Sequence, residues 1–196
     1  MKKTFLLALC FLTLVACHHK EEKKDSVPVV DTVPTTLYNS LEIRSLYHHA
    51  DSLLNIGKAD TVLMNQYVNL ALRHVEKNPE DTLAADFVFY AGIFQMKVAA
   101  MTPPSRKQER LSFCAIEIFN QVAEDYPDYT NIDYCYYYKG NIFENLKRFT
   151  DAENEYRELV HRFPNSELAK GIAAYLEVQG FTKTPDELMS DIKKKN

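Results

Sequence analysis

The stretch DYCYYYKGNIFENLKRFTDAENEYRELVHRFPNS, residues 133–166, decides the fold of this 196-residue chain. Large and small apolar residues recur in it at intervals of three and four, the spacing of one face of a helix. The stretch therefore predicts two consecutive helices that pack against each other. The second of these helices has Ala152, Tyr156 and Leu159 at this spacing, ahead of Pro164.

The pattern repeats along the chain. The segments YPDY at 126–129 and FPNS at 163–166 lie 37 residues apart. Upstream of each, a small residue, an aromatic and an aliphatic stand at the same offsets from the proline. In the first copy these residues are Ala115, Phe119 and Val122. NPEDTLAA at 78–85 also matches FPNSELAK at 163–170. A period in this range predicts a solenoid, because one helical pair cannot bury its apolar face alone.

Helical spacing continues from residue 36 onward. A second helix is predicted at about 61–78, and a third at about 82–100 should be the most buried. The first predicted stripe is Leu37, Leu41, Leu46, Ala50, Leu53 and Leu54, and the second is Met64, Tyr67, Val68, Ala71 and Val75. Three capping boxes are predicted, at Ser105 with Gln108, Thr150 with Glu153 and Thr184 with Glu187. With five glycines and no alternating run between turns, the sequence predicts about eight helices and an all-α fold.

Residues 133–166 resemble a tetratricopeptide repeat, with Lys139 standing where the family prefers leucine. The resemblance assigns the repeat core and its closing proline to seven residues: Tyr136, Gly140, Phe143, Ala152, Tyr156, Leu159 and Pro164. The resemblance extends over about 40–190 and implies a right-handed α-α superhelix of about four hairpins, three repeats and a capping hairpin. The unit before it has about eleven extra residues between Gly92 and Ala115. Such a superhelix encloses a peptide-binding groove. The resemblance assigns four partner-binding positions to this groove: Tyr134, Tyr137, Asn141 and Glu144.

The four tyrosines at 134 and 136–138 cannot share one helical face, because each residue turns the side chain by about 100°. Tyr136 takes the core position, and Tyr138 should lie between faces. Rigid rings with polar tips at 134 and 137 suit recognition of an extended peptide. The alternative, that all four rings only pack between repeats, stays open at this stage.

The N-terminus predicts a lipoprotein. Lysines at 2 and 3 precede an uncharged run from Thr4 to Ala16, which is too short for an ordinary transmembrane helix. Leu14-Val15-Ala16-Cys17 resembles the bacterial lipobox, which implies a signal peptide at 1–16 and lipidation of Cys17. Residues 17–35 are then a lipidated tether of up to roughly 60 Å, and 36–196 the helical domain.

Three features of the tether bear on location and ligands. The pair His18-His19 lacks further ligands, so no metal site is predicted there. The triplet Lys20-Glu21-Glu22 resembles the surface-export signal of Bacteroidetes lipoproteins. No aspartate follows Cys17, which in the Gram-negative sorting rule favours the outer membrane. The expected location is therefore the outer membrane, on its periplasmic face or at the cell surface.

The net charge bears on the kind of partner, and the cysteine spacing bears on whether a disulfide forms. The formal net charge of −4 becomes about −6 without the two leader lysines, which argues against nucleic acid or an anionic membrane surface as the main partner. Cys114 and Cys135 should lie on antiparallel helices, offset by about 11 Å along the axis, so no disulfide is expected. Two free and largely buried thiols are predicted instead.

Enzyme motifs are absent from the sequence: it has no phosphate loop, no dinucleotide turn, no HExxH and no nucleophile elbow. The nearest constellation is His48-His49 with Asp51, which is more typical of a solvated helix face. No cofactor other than the lipid on Cys17 and no small-molecule substrate are predicted.

The lipobox, tether and proline hinges together resemble the outer-membrane lipoprotein of β-barrel assembly and the repeat protein associated with Tol–Pal. The resemblance implies a non-enzymatic, lipid-anchored scaffold that binds an envelope protein, in outer-membrane protein assembly or envelope maintenance. Two alternatives stay open. One is a surface lipoprotein that captures an extracellular protein or glycan. The other is an accessory to an envelope hydrolase, or a weak enzyme, in which this chain uses its own His48, His49 and Asp51.

Overall fold

A computed structural model describes residues 39–179 and contains seven α-helices and no strand within that range. The helices are α1 Ser40–Asn55, α2 Thr61–Lys77, α3 Ala84–Met101, α4 Arg106–Asp125, α5 Ile132–Asn145, α6 Phe149–Arg162 and α7 Glu167–Gln179. The predicted leader and tether, with Cys17 and the His18-His19 pair, lie outside the described residues. The eighth helix and its Thr184–Glu187 capping box lie outside them as well.

Each helix packs against the next one in the chain, so the fold is a row of helical hairpins. The hairpins are α1–α2, α3–α4 and α5–α6, and α7 follows as the first helix of the next unit. We call the first helix of each unit (α1, α3, α5, α7) an A helix and the second (α2, α4, α6) a B helix. The predicted all-α solenoid of the tetratricopeptide type is confirmed.

The helix α3 has ten buried residues, and the stripe predicted for α2 is buried in full. The stripe predicted for α1 is wrong at Leu41, which is 74% exposed. Because α1 begins only at Ser40, Leu41 lies in its first turn on the outward side. Ile43, which the stripe omitted, is fully buried in its place.

Helix starts were predicted less well than helix faces. Ser105 does cap α4 by accepting from the Gln108 amide, at 3.2 Å. The second half of that box is wrong, because the Gln108 side chain donates to Ser112 instead of returning to Ser105. The Thr150–Glu153 box is also wrong. The helix α6 begins at Phe149, which puts Thr150 inside it, and Arg148 precedes it without a side-chain cap.

A glycine of the A helix lies under an aromatic ring of the B helix in two successive hairpins. A Cβ atom added to Gly140 would lie 2.2 Å from the Tyr156 ring, and one added to Gly92 would lie 2.7 Å from the Phe119 ring. Real Cβ contacts are not this short, so only glycine allows these helices to approach so closely. Both rings are buried to within 2%.

The three turns that join one hairpin to the next share one conformation. Each contains a proline: Pro79, Pro127 or Pro164. In each, the amide two residues after the proline donates to the carbonyl just before it, at 2.9–3.1 Å. Proline fits the second position of such a turn because its ring fixes φ near −65°. Pro164 is therefore exposed, in the turn that closes the repeat.

The side chain two residues after each proline also bonds back to the start of the preceding A helix. Ser166 donates to Asp133 at 2.6 Å, and Tyr129 donates to Asp86 at 2.7 Å. At the first turn, Ser40 donates to Asp81, which holds the same position. These three bonds align the hairpins along one side of the solenoid, which we call the hinge edge.

Lys139 is buried to 5% exposure although it carries a charge. Its ammonium lies 2.8 Å from the Glu155 carboxylate of α6 and 3.0 Å from the Asn120 Oδ1 of α4. It also lies 4.5 Å from the centre of the Tyr136 ring. A buried lysine needs such partners, and here they join three helices at the site where the family prefers leucine.

The two cysteines of the domain are free thiols, as predicted. Cys135 is fully buried, and burial raises the pKa of its thiol to about 12. Cys114 was predicted to be largely buried, but it is only half-buried. Burial also raises the pKa of the Cys114 thiol. Both thiols are therefore poor nucleophiles at neutral pH.

Candidate functional site

Aromatic rings follow one another across the A helices from α1 to α5. The Tyr47 and Tyr90 ring centres are 4.2 Å apart, and Phe89 lies 5.5 Å from Tyr90. Phe89 then contacts Tyr138 at 6.3 Å, and Tyr138 contacts Tyr134 at 6.0 Å. We call the surface along these rings the A-helix face. Phe89 is buried at 4% exposure, so the accessible rings of this face lie at its two ends, Tyr47 with Tyr90 and Tyr134, and these ends form the candidate binding surface.

The four tyrosines of α5 point to different sides of the helix, because each residue turns the side chain by about 100°. Tyr136 is buried against Phe163, with ring centres 5.6 Å apart. Tyr138 stacks on Phe119 at 5.5 Å, and burial raises the pKa of its hydroxyl. Tyr134 is 39% exposed, and its ring stands perpendicular to the half-buried Tyr137 ring. Tyr134 and Tyr137 therefore offer ring area to a ligand, whereas Tyr136 and Tyr138 support them.

The other two predicted groove residues are half-buried and already bonded. The Asn141 Nδ2 donates to the Tyr137 carbonyl at 2.9 Å. Glu144 accepts from the Tyr175 hydroxyl at 2.5 Å, which ties α5 to α7. This hydrogen bond is the main reason that the pKa of Tyr175 is raised to about 12. Glu144 thus has a structural contact on the face where the family resemblance places a ligand.

A cleft of about 170 Å³ opens between α1 and α3 on the A-helix face. Its walls include Arg44, Tyr47 and His48 from α1, and Asp86 and Tyr90 from α3. Burial raises the pKa of Tyr47 well above its ordinary value, so the ring stays neutral. The cleft therefore combines aromatic walls with one cationic and one anionic side chain.

The Asp86 carboxylate is fixed within this cleft. It accepts from the Tyr129 hydroxyl at 2.7 Å, across 43 residues of sequence. Burial is the largest cause that raises the pKa of Tyr129 well above its ordinary value. The hydrogen bond with Asn131 opposes this rise, and the one with Asp86 adds to it. The Tyr129 hydroxyl thus holds the Asp86 carboxylate in position in the wall of the cleft.

Sequence reasoning missed the cleft, although the repeat contained a signal for it. Tyr90 stands two residues before Gly92, as Tyr138 stands two before Gly140. Asp86 likewise stands six before Gly92, at the offset of Tyr134 from Gly140. Counting from the buried glycine would have placed both residues on the A-helix face.

The His48-His49-Asp51 cluster does not assemble into one site. His48 and His49 are exposed, and His48 lies beside the Tyr47 ring, with ring centres 5.3 Å apart. The Asp51 Oδ2 accepts from Asn55 at 3.0 Å rather than from either histidine. His48 thus belongs to the α1–α3 cleft, where it can donate to or accept from a ligand.

A serine, a histidine and an aspartate do meet at the hinge edge. The His74 Nε2 lies 2.7 Å from the Asp81 Oδ2 and 3.4 Å from the Ser40 Oγ. Ser40 itself donates to the same Asp81 oxygen. In a nucleophilic triad the histidine uses one ring nitrogen for serine and the other for aspartate. Here one nitrogen faces both, so the geometry fits a structural tie between α1, α2 and the turn before α3.

Two further features were searched for within residues 39–179. No three His, Cys, Asp or Glu side chains in that range stand close enough to hold a metal ion. None of the helices in the described part is long and apolar enough to cross a membrane.

The family model for the tetratricopeptide repeat matches residues 134–166. The chain contains a tetratricopeptide repeat. The matched segment comprises α5, α6 and the Pro164 turn, and it agrees within one residue with the 133–166 unit identified from the sequence. No curated protein matches the chain. Domains built from this repeat are typically protein-binding scaffolds rather than catalysts, and the A-helix face is the surface that fits this use.

Proposed function

We propose that this protein is a non-enzymatic scaffold that is anchored to the outer membrane by a lipid on Cys17. Its A-helix face holds an extended segment of an envelope protein. The observation that carries the proposal is the pair of accessible sites at the two ends of the ring row, Tyr134 at 39% exposure and the α1–α3 cleft, which the buried Phe89 connects.

The chemistry of this face suits a peptide. Tyrosine rings supply rigid contact area with little loss of conformational entropy, and their hydroxyls hydrogen-bond to backbone amides. Arg44 and Asp86 in the cleft add one charge of each sign. A segment with an aromatic or aliphatic anchor beside a charged residue would satisfy both parts of the face.

Membrane anchoring is supported by sequence alone. Leu14-Val15-Ala16-Cys17 supplies the lipobox, and residues 18–35 supply a polar tether. Several acyl chains on one cysteine give durable attachment, which a single chain does not. Mass spectrometry of the purified protein tests this part: an N-terminal peptide that begins at an acylated Cys17 supports it, and an unmodified leader contradicts it.

A photo-crosslinking amino acid at position 134 tests the binding face in living cells. The matched control places the same amino acid at Glu158, which is exposed on the B helix of the same hairpin and lies outside the A-helix face. We expect a discrete adduct with one envelope protein from position 134 and not from position 158. Adducts that are identical at both positions would contradict a site on the A-helix face.

Two double variants then separate ring contact from hydroxyl contact. Tyr134→Ala with Tyr137→Ala should abolish recovery of the partner from detergent-solubilised envelopes. Tyr134→Phe with Tyr137→Phe should retain most of it if the rings dominate. Both variants are first checked for native helicity, because Tyr137 also contacts Tyr156, at 6.4 Å between ring centres. Full recovery by the folded alanine variant would mean that these rings only pack.

The triplet Lys20-Glu21-Glu22 favours a second candidate, a surface lipoprotein that captures an extracellular protein or glycan. Protease treatment of intact cells discriminates the two. Loss of the helical domain supports the surface location, whereas protection until the outer membrane is permeabilised supports the periplasmic one.

A further inference from the structure

The two edges of the solenoid differ in charge. The hairpin-tip edge comprises the turns inside the hairpins and their flanks, at 55–62, 101–110 and 145–151, and the hinge edge comprises 76–83, 124–131 and 161–167. The hairpin-tip edge has six basic side chains and three acidic ones: Lys58, Arg106, Lys107, Arg110, Lys147 and Arg148 against Asp60, Glu109 and Asp151. The hinge edge has seven acidic and two basic side chains: Glu76, Glu80, Asp81, Glu124, Asp125, Asp128 and Glu167 against Lys77 and Arg162. A net charge of +3 thus opposes one of −5 across a domain only a helix length wide.

Exposed apolar side chains mark every turn of the hairpin-tip edge. They are Ile56, Val62, Met101 and Phe149, exposed by 43–76%. Each stands within a few residues of a lysine or arginine. On the hinge side, the exposed large apolar residues of the described chain are Leu41 and Tyr134, in first turns of A helices. The positive edge therefore presents separate apolar tips set among cations.

The eleven-residue insertion extends this edge. The helix α3 continues nine residues beyond Gly92, whereas α5 continues only five beyond Gly140. The helix α4 begins nine residues before Ala115, whereas α6 begins three before Ala152. At 1.5 Å per residue, the α3–α4 hairpin projects about 6–9 Å past its neighbour. The projecting tip holds Met101 and three of the six basic residues.

Lys147 gives a second, independent sign that this edge is used. Its φ of 61° lies in the left-handed region, where Gly57 stands in the α1–α2 turn with a φ of 71°. The two turns have the same backbone bonds, because the residue after each of these donates to the carbonyl five positions earlier, at 2.8 Å. Glycine would be the relaxed choice at this position. A strained, exposed lysine in its place indicates a use for the charge.

We propose that the hairpin-tip edge docks on a lipid bilayer whose headgroups are anionic. Met101 and Phe149 enter the interfacial layer. The lysines and arginines of the three turns pair with lipid phosphates, except Arg148, which already binds Asp151. A plane of phosphates over hydrocarbon matches separate apolar tips ringed by cations better than one continuous apolar patch would. The negative hinge edge then faces away from the membrane, and the helices stand upright on the surface.

This docking is separate from peptide binding on the A-helix face, so either can fail without the other. It also does more than a lipid anchor can do. A flexible tether holds the domain near a bilayer without fixing its orientation, whereas a docked edge presents the A-helix face sideways at a constant height.

Tryptophan fluorescence tests the docked edge directly, because the chain contains no tryptophan. One probe is Met101→Trp at the projecting tip. The matched control is Leu41→Trp, which replaces an exposed aliphatic residue near the hinge edge. Each full-length chain, as cells process it, is reconstituted into vesicles of brominated phosphatidylcholine with or without phosphatidylglycerol. Bromine on the lipid chains quenches the fluorescence of a tryptophan only if its ring enters the bilayer.

The expected result is a blue shift and quenching of the Met101→Trp probe in vesicles with phosphatidylglycerol, with the Leu41→Trp probe little changed. An anchor alone would bring both probes equally near the lipid. Equal quenching of the two probes, or quenching of neither, overturns the proposal. The second outcome would leave the edge to a protein partner.

Charge variants on the Met101→Trp background test the phosphate contacts. Neutralising a lysine at an anionic surface should lower the ratio of docked to undocked protein about fivefold. We therefore expect strong loss of quenching with Lys107→Gln plus Lys147→Gln, and no loss with Lys77→Gln on the hinge edge. Quenching that is unchanged in these variants, or equally strong without phosphatidylglycerol, would overturn the proposal that the edge binds anionic headgroups. The Tyr134→Ala, Tyr137→Ala variant should dock normally.

Discussion

The hairpins α3–α4 and α5–α6 are alike at one end and different at the other. Both have a glycine under an aromatic ring and a proline turn at the hinge edge. They differ beyond the glycine, where α3 and α4 are 18 and 20 residues long against 14 each for α5 and α6. The contacts between hairpins therefore fix the hinge half, and the tip half is free to vary in length and charge.

The same difference explains why the matched segment, 134–166, is the hairpin with the regular spacing. The ring of Phe119 lies over Gly92 as that of Tyr156 lies over Gly140, but the pairs are 27 and 16 residues apart in sequence. A pattern with fixed offsets recognises the second spacing only. The packing is the same in both, so the repeat continues in space where it is interrupted in sequence.

The largest effect is expected from adding one methyl group under each ring. Gly140→Ala should destabilise the domain by about 3 kcal/mol, because its Cβ meets a buried ring at 2.2 Å. Gly92→Ala, with 2.7 Å to its ring, should cost about 1 kcal/mol after the gain in helix propensity. Urea unfolding followed by circular dichroism measures both.

Gly171→Ala is the control for that pair. Gly171 lies in α7 with nothing within 4 Å of its added Cβ, so alanine should stabilise by about 0.5–1 kcal/mol. If Gly140→Ala proved as harmless as Gly171→Ala, the close approach of α5 and α6 would not be a requirement of the fold.

The sequence predicted the parts of the fold that depend on repetition. Offsets such as those of Ala152, Tyr156 and Leu159 from Pro164 are imposed by buried contacts, so they are visible as spacing. Leu41 and the Thr150 cap were wrong because a helix start depends on local hydrogen bonds that compete within a turn. At Thr150, Arg148 already binds Asp151 at 2.6 Å in that first turn.

The candidate site was predicted only where the repeat is regular. Tyr134 and Tyr137 were found because α5 follows the family spacing, and whether they bind a partner stays a prediction. The α1–α3 cleft was missed, because Tyr47 and Tyr90 meet from helices about 40 residues apart. The charge difference between the edges was hidden as well, since the segments that form each edge alternate along the chain.

Lys139 offers the next comparison, because the corresponding position of α3, one residue before Gly92, is Ala91. Ala91 is fully buried without any polar partner, whereas Lys139 joins α5 to Glu155 and Asn120. Lys139→Met keeps most of the volume but leaves Glu155 without its cation. We expect a loss of about 1–2 kcal/mol, less than for a fully buried pair because the Glu155 side chain is 21% exposed.

A double-mutant cycle isolates that ion pair. Adding Glu155→Gln to Lys139→Met should recover part of the lost stability, because the uncompensated carboxylate is removed. Additive losses from the two substitutions would show that Lys139 acts through its contacts with Tyr136 and Asn120 alone.

The smallest effect separates stability from docking at the hairpin tips. Lys147→Gly should stabilise the domain by about 1 kcal/mol, because glycine removes the left-handed strain that Lys147 accepts at a φ of 61°. The midpoint of thermal unfolding should then rise by about 2–4 °C.

The control is Gly57→Ala in the equivalent turn, which should lose about as much free energy of unfolding as Lys147→Gly gains. An unchanged melting temperature for Lys147→Gly would mean that the turn is relaxed with lysine and that its strain says nothing about use. A variant that is more stable yet docks less on anionic vesicles would show that the lysine is held at the tip for its charge.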